Sequence, residues 1–276
     1  MTLDQCKNEK YDIIILAGQS NAQGSGFGDV LEEYIPDERI HMLNDKSSPA
    51  FKEDENGKAY LDIKFPCEQF INIAEERFED NQKYGNIALN FAKKYIEQGY
   101  LEKDRKILIV HSAVGGTGFY RKEWGVGNVL YNRMISMTEN ALKLNDENKI
   151  VAYLWHQGEH DAEEPKGWTD AEKYRRHYYN LRYQTELYYN KYNIKVPFIT
   201  AGFCEDYRSK NQEMCAPVLQ AIQDFVIDFG GAYIDTSDLL SNGQTNGNGD
   251  VYHFSRQSLH VLGERYFAEY KKLLEK

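Results

Sequence analysis

Little in this 276-residue chain would tie it to a membrane, a nucleic acid or a metal cluster. No apolar run approaches the roughly 20 residues that cross a bilayer. Acidic residues outnumber basic ones, 43 to 33, for a formal charge of −10. No basic stripe offsets that charge, so a surface for nucleic acid or anionic lipid is not indicated. The polar start MTLDQCKNEKYD leads straight into an apolar run with no export signal, and a cytoplasmic protein is expected. Cys6, Cys67, Cys204 and Cys215 lie far apart without a C-x-x-C pair, which argues for reduced structural thiols, not a zinc ribbon or disulfide framework. No linker-like stretch or internal repeat divides the chain, and its 41 % hydrophobic content suffices for a substantial core, so a single domain over 1–276 is expected. The Gly24, Gly26, Gly28 series fits neither phosphate-binding glycine pattern.

What is present is organised around Ile13 to Phe27, IIILAGQSNAQGSGF. Four large aliphatic residues in a row suit a strand buried on both faces, and Gly18 permits a turn that a Cβ would obstruct. Ser20 is thereby delivered to the carboxyl end of a central strand, where ligands gather in open α/β sheets. The pattern recurs: Ile107 to Val110 runs into His111, Ser112 and the AVGGTG turn of 113–118, and Ile150 to Trp155 runs into HQGEHD, 156–161. Further strands are expected at Val196 to Ala201 and Ala232 to Ile234. Helices are expected at Asn86 to Gln98, around Leu130 to Leu144, after a capping box at Thr169 to Glu172, at Cys215 to Phe229 and at the C-terminus. Strand–helix alternation of this kind predicts a three-layer α/β/α sandwich around a parallel sheet of about five strands. Residues 29–84 are less regular, with a short strand at Arg39 to Leu43 and a hairpin turn at Asn56-Gly57. They read as an insertion over one sheet edge, contributing to the substrate rim.

A serine hydroxyl is a weak nucleophile unless a base lies in reach and an acid orients that base. Asp250-Val251-Tyr252-His253 supplies both in one loop: the carboxylate can turn back onto the imidazole Nδ1–H, leaving Nε2 for Ser20. Oxyanion donors would be the Ser20 N–H, an N–H of Gly115 or Gly116, and the Gln157 amide, each worth roughly 3 to 4 kcal/mol of barrier. Taken alone, Ser20 could equally be a helix N-cap. His156 to His160 also reads H-x-x-E-H, an inverted zinc-protease signature, but Gly158 and the abutting strand interrupt the helix which that motif needs.

Gly18-Gln19-Ser20-Asn21, Ala113 to Thr117, Trp155 to Glu159 and Asp250 to His253 occur in the order of the SGNH-hydrolase superfamily. More narrowly, the chain resembles its sialate O-acetylesterase and acetylxylan-esterase branch, carbohydrate esterase family six. The similarity includes Trp124 and Leu130-Tyr131. The resemblance implies a flavodoxin-like fold and hydrolysis of O-acetyl esters on sugars or oligosaccharides, without a cofactor or metal. It assigns Ser20 as nucleophile, His253 as base and Asp250 as its acid, with oxyanion donors at Ser20, at Gly115 or Gly116, and at Gln157, where the wider superfamily has asparagine. Gln19, Asn21, Trp124 and Glu159 fall to supporting or substrate-binding roles, Trp124 as a platform on which a sugar could stack. Two other readings stand beside this one: a metal-dependent hydrolase built on His156 and His160, and a sugar-binding module without turnover.

Overall fold

In the computed structural model, which describes residues 1–29, 35–79, 82–163, 171–190 and 196–275, the first apolar run is the middle strand of a seven-stranded sheet. The strands in chain order are β1 (Lys10–Gly18), β2 (Ile40–Asp45), β3 (Ala50–Glu53), β4 (Ala59–Asp62), β5 (Gln69–Ile73), β6 (Arg77–Glu79), β7 (Gln82–Tyr84), β8 (Arg105–His111), β9 (Lys149–His156), β10 (Phe198–Ala201) and β11 (Ala232–Ile234). The α-helices are α1 (Ser20–Gln23), α2 (Ile87–Glu97), α3 (Val129–Lys143), α4 (Glu159–Glu163), α5 (Ala171–Asn190), α6 (Glu205–Lys210), α7 (Gln212–Phe229), α8 (Asn242–Asn246) and α9 (Arg256–Leu274).

The sheet order is β11-β10-β9-β1-β8-β2-β5, and every neighbouring pair is parallel except β2 with β5. Helices flank it in an α/β/α arrangement. Because β1 has a neighbour on each side and its own faces are covered, every residue from Tyr11 to Gly18 is buried, as the unbroken Ile13–Leu16 run requires. The chain steps from β8 across β1 to β9, so the carboxyl ends of these three strands frame the crevice where such folds bind ligands.

The irregular region contributes more than an insertion. Ile40–Asp45 pairs with β8 within the sheet, and Gln69–Ile73 closes the edge antiparallel to it, giving seven strands where about five are expected. The strand at 40–45 is disguised by a polar residue, His41, which is buried because its Nδ1 meets the Tyr11 hydroxyl at 2.7 Å. The edge strand QFINI carries Gln69 and Asn72 because an edge is only half covered. The turn at Asn56-Gly57 does join an antiparallel hairpin, β3–β4, with Gly57 at φ +73°. Asn242–Asn246, which reads as plain loop, forms a helical turn started by a reciprocal capping box between Ser241 and Gln244. The Thr169 end of the other expected capping box lies outside the described residues. All four cysteines are free thiols.

At the amino end of β1 a second polar cluster closes on itself. Asp12, fully buried, accepts from Arg105 Nε at 2.7 Å and from the Tyr95 hydroxyl at 2.7 Å. Arg105 Nη2 donates to the carbonyls of Tyr11 (2.7 Å) and Glu147 (3.1 Å).

Candidate active site

At the carboxyl end of β1 the backbone must leave the strand beside β9. Gly18 does this at φ +128°, where a Cβ would lie 2.0 Å from the His156 carbonyl oxygen, so no other residue fits. The next residues form the single turn α1, with Ser20 at its first position and Gln23 one turn on. Side chains three apart on a helix share a face. Ser20 and Gln23 accordingly line the same cavity of about 390 Å³, together with Gln19, Ser25, Gly115, Gly116, Glu159, His160, Glu163, Tyr252 and His253.

His253 enters from the opposite end of the chain. Its Nδ1 lies 2.8 Å from Asp250 Oδ2, while Asp250 Oδ1 accepts the N–H groups of Tyr252 (3.1 Å) and His253 (3.2 Å). Burial alone would raise the Asp250 carboxyl, but the hydrogen bonds from His253 and Asn242 outweigh it and hold its pKa at about 2. Asn242, fully buried, carries no local signal of this role in the sequence. Its amide donates to Asp250 Oδ2 (3.0 Å) and the Ser25 carbonyl (2.9 Å), and its own oxygen accepts from the Phe27 N–H (2.7 Å). Asn21 makes the complementary tie: its Nδ2 donates to the Tyr252 carbonyl (3.2 Å) and its Oδ1 accepts from the Phe254 N–H (3.2 Å). The residue after the serine therefore grips the chain on both sides of His253.

Glu159 completes this tie. Its Oε1 accepts from Asn21 Nδ2 (2.9 Å) and lies 3.2 Å from His156 Nε2. Burial works against the Glu159 carboxylate, but the adjacent His156 and the Asn21 amide keep its pKa below the ordinary value. The His160 pKa is lowered as well, to about 4, by burial and then by the Arg121 charge, so its ring is neutral at pH 7. Among the described residues no group of three or more His, Cys, Asp and Glu side chains is placed to hold a metal ion.

The donors nearest the serine differ in what they have free. Gly115 N–H is taken by Gln23 Oε1 at 2.9 Å, whereas the N–H groups of Ser20 and Gly116 have no acceptor among the described residues. Gly115 packs directly on the Ser20 turn, since a Cβ there would stand 3.4 Å from Ser20 Cβ. Gln157 is not placed as expected. It does not line the cavity, and its Nε2 donates to Asp161 Oδ2 (2.6 Å) and the Thr117 carbonyl (3.2 Å), with Gln19 Oε1 at 3.4 Å. An amide has two protons to give, and both are spent bracing the loops after β8 and β9. The Gln19 oxygen further accepts from the N–H groups of Gly158 (3.4 Å) and His160 (3.3 Å).

Trp124 corrects a second expectation. It is 0 % exposed, donates to Thr117 Oγ1 at 3.0 Å and meets Trp155 edge-on, so it supports the β8 loop and cannot stack on a sugar. No hydrogen bond joins Ser20 Oγ to His253, as is common in unliganded sites, but both residues line the same cavity.

Residues 10–272 match the family model described as carbohydrate esterase, sialic acid-specific acetylesterase. The chain belongs to this family. Among curated relatives of this acetylesterase family, it is 31 % identical over 154 residues to a probable carbohydrate esterase of Arabidopsis thaliana, covering 48 % of this chain and 58 % of that protein. It is 26 % identical over 179 residues to a probable 9-O-acetyl-N-acetylneuraminic acid deacetylase of Escherichia coli K12, covering 55 % of this chain and 53 % of the relative. The chain thus spans little more than half the length of either. The crystal structure of NanS superposes with a TM-score of 0.72 at 18 % identity, covering 97 % of this chain and 98 % of the other, which establishes the shared fold.

Proposed function

We propose that this acetylesterase-family chain is a serine esterase that removes O-acetyl groups from carbohydrate hydroxyls through an acyl-enzyme. The observation that carries the reading is the Asp250–His253 pair, 2.8 Å apart, opening onto the same cavity as the Ser20 hydroxyl. As substrate enters, Ser20 Oγ bonds to the acetyl carbonyl carbon while its proton passes to His253 Nε2. The C–O bond to the sugar then breaks, and the sugar oxygen takes that proton. Water, deprotonated by His253, attacks the acyl-enzyme, and acetate leaves as Ser20 regains its proton. Asp250, ionised across the physiological range, holds the ring and offsets the charge it gains.

The open N–H groups of Ser20 and Gly116 are the oxyanion donors in this reading, and Gln23 is a positioning residue that pins the bend at Gly115 so that Gly116 faces inward. Gln157 acts from behind, through Gln19 and Asp161. Replacing Ser20 with alanine is expected to lower acetate release by on the order of 10³ or more, without changing thermal stability. A fluorophosphonate should label Ser20, and a chelator should leave turnover intact. Wild-type-like turnover in the alanine variant would refute the assignment. Loss of activity on chelation would favour the reading built on His156 and His160, and glycan binding without acetate release would indicate a non-catalytic module.

A further inference from the structure

One aromatic ring lines the cavity and a second lies against Gly116 in its lining, each about half exposed. Phe51, on the β3–β4 hairpin, is 45 % exposed and lies over Gly116, where an added Cβ would come within 3.1 Å of its ring. A side chain at 116 would crowd that ring. Tyr252, next to His253 in sequence, is 42 % exposed, lines the cavity and is backed by Tyr207 with ring centroids 4.7 Å apart. The cavity lining also includes Glu163, whose carboxylate is close enough to the Tyr252 hydroxyl to raise its pKa.

An acetyl group occupies a small part of about 390 Å³, and the remainder is the scale of a small-molecule site. A sugar ring has two kinds of surface: faces of C–H bonds that need apolar cover, and edges of hydroxyls that need acceptors. Aromatic walls match the first. A carboxylate matches the second. We infer that Phe51 and Tyr252 are the walls of a subsite that holds the sugar ring of the departing alcohol, with Glu163 accepting from its free hydroxyls. This rests on the esterase reading above and names the part of the site that selects the alcohol rather than the part that cleaves the ester.

The test compares kcat/KM for a sugar ester with that for ethyl acetate, which has no ring to clamp. The sugar ester is whichever of an O-acetylated xylooligosaccharide and 9-O-acetyl-N-acetylneuraminic acid the wild-type chain turns over faster. Phe51→Ala and Tyr252→Ala should each lower that ratio about tenfold, mainly through KM, while Phe51→Trp should keep it. A ratio unmoved in both alanine variants, or a wild-type chain that turns over neither sugar ester better than ethyl acetate, overturns the subsite. Acetate release from either ester by Ser20→Ala fails the esterase reading instead, so the two failures are told apart.

Discussion

The two ends of β1 are both polar, and they are built on opposite terms. At the amino end Asp12, Arg105 and Tyr95 are buried and bonded to one another, and Arg105 also satisfies two backbone carbonyls. At the carboxyl end Ser20 and Gly116 line a cavity, and the Ser20 hydroxyl and the N–H groups of both have no partner among the described residues, while the groups behind them, Asn21, Asn242, Gln157 and Gln19, are bonded within the protein. One strand thus carries a closed network that fixes the fold and an open one held ready for a ligand. The lesson is that saturation, rather than polarity, separates scaffold from site.

That contrast can be broken from either side. Arg105→Leu would leave the buried Asp12 with only Lys149 Nζ, 3.6 Å away and half exposed, as a cationic partner, and is expected to cost up to about 3–5 kcal/mol in denaturant unfolding. Acetate release per folded molecule should persist, the converse of Ser20→Ala. A smaller effect is expected at the brace of the open end. Gln23→Leu removes the acceptor at Gly115 and should lower kcat about tenfold with little change in KM, whereas Gln23→Glu, which keeps an acceptor oxygen, should recover most of it. Equal loss in both variants would mean that Gln23 only packs.

The smallest effect sharpens the comparison through pH. Glu123 accepts from the Gly118 N–H at 3.0 Å on the loop after β8. Burial raises its carboxyl from the ordinary 4.5 to about 7. The folded chain therefore binds a proton there that the unfolded chain has released. The stabilisation is complete below pH 4.5, is given up as pH rises toward 7, and is gone above it. Glu123→Gln should flatten this decline, seen as a smaller difference in Tm between pH 5 and pH 8 than the wild type shows.

What could be read in advance was local. The aliphatic run ending at Gly18, the D-x-x-H loop and the glycine pair after β8 each announce themselves within a few residues, and their convergence follows from strand–helix alternation. The rest depends on distant partners. Asn242 matters because Ser25, Phe27 and Asp250 surround it, which no window around it reveals. Gln157 has the right residue type for an oxyanion donor, yet Asp161, one helical turn on, claims its amide. Trp124 stands near the site in sequence and is turned inward by Thr117 and Trp155. The strand at 40–45 went unseen as part of the sheet because its buried histidine finds its hydrogen-bond partner in a tyrosine hydroxyl from β1, 30 residues away.

The grip of Asn21 on Tyr252 and Phe254 reaches across 231 and 233 residues. During synthesis, then, Ser20 emerges early, and the segment bearing His253 reaches it only once nearly the whole chain has been made and docked. On the esterase reading proposed above, acetate release would certify that this last closure had taken place.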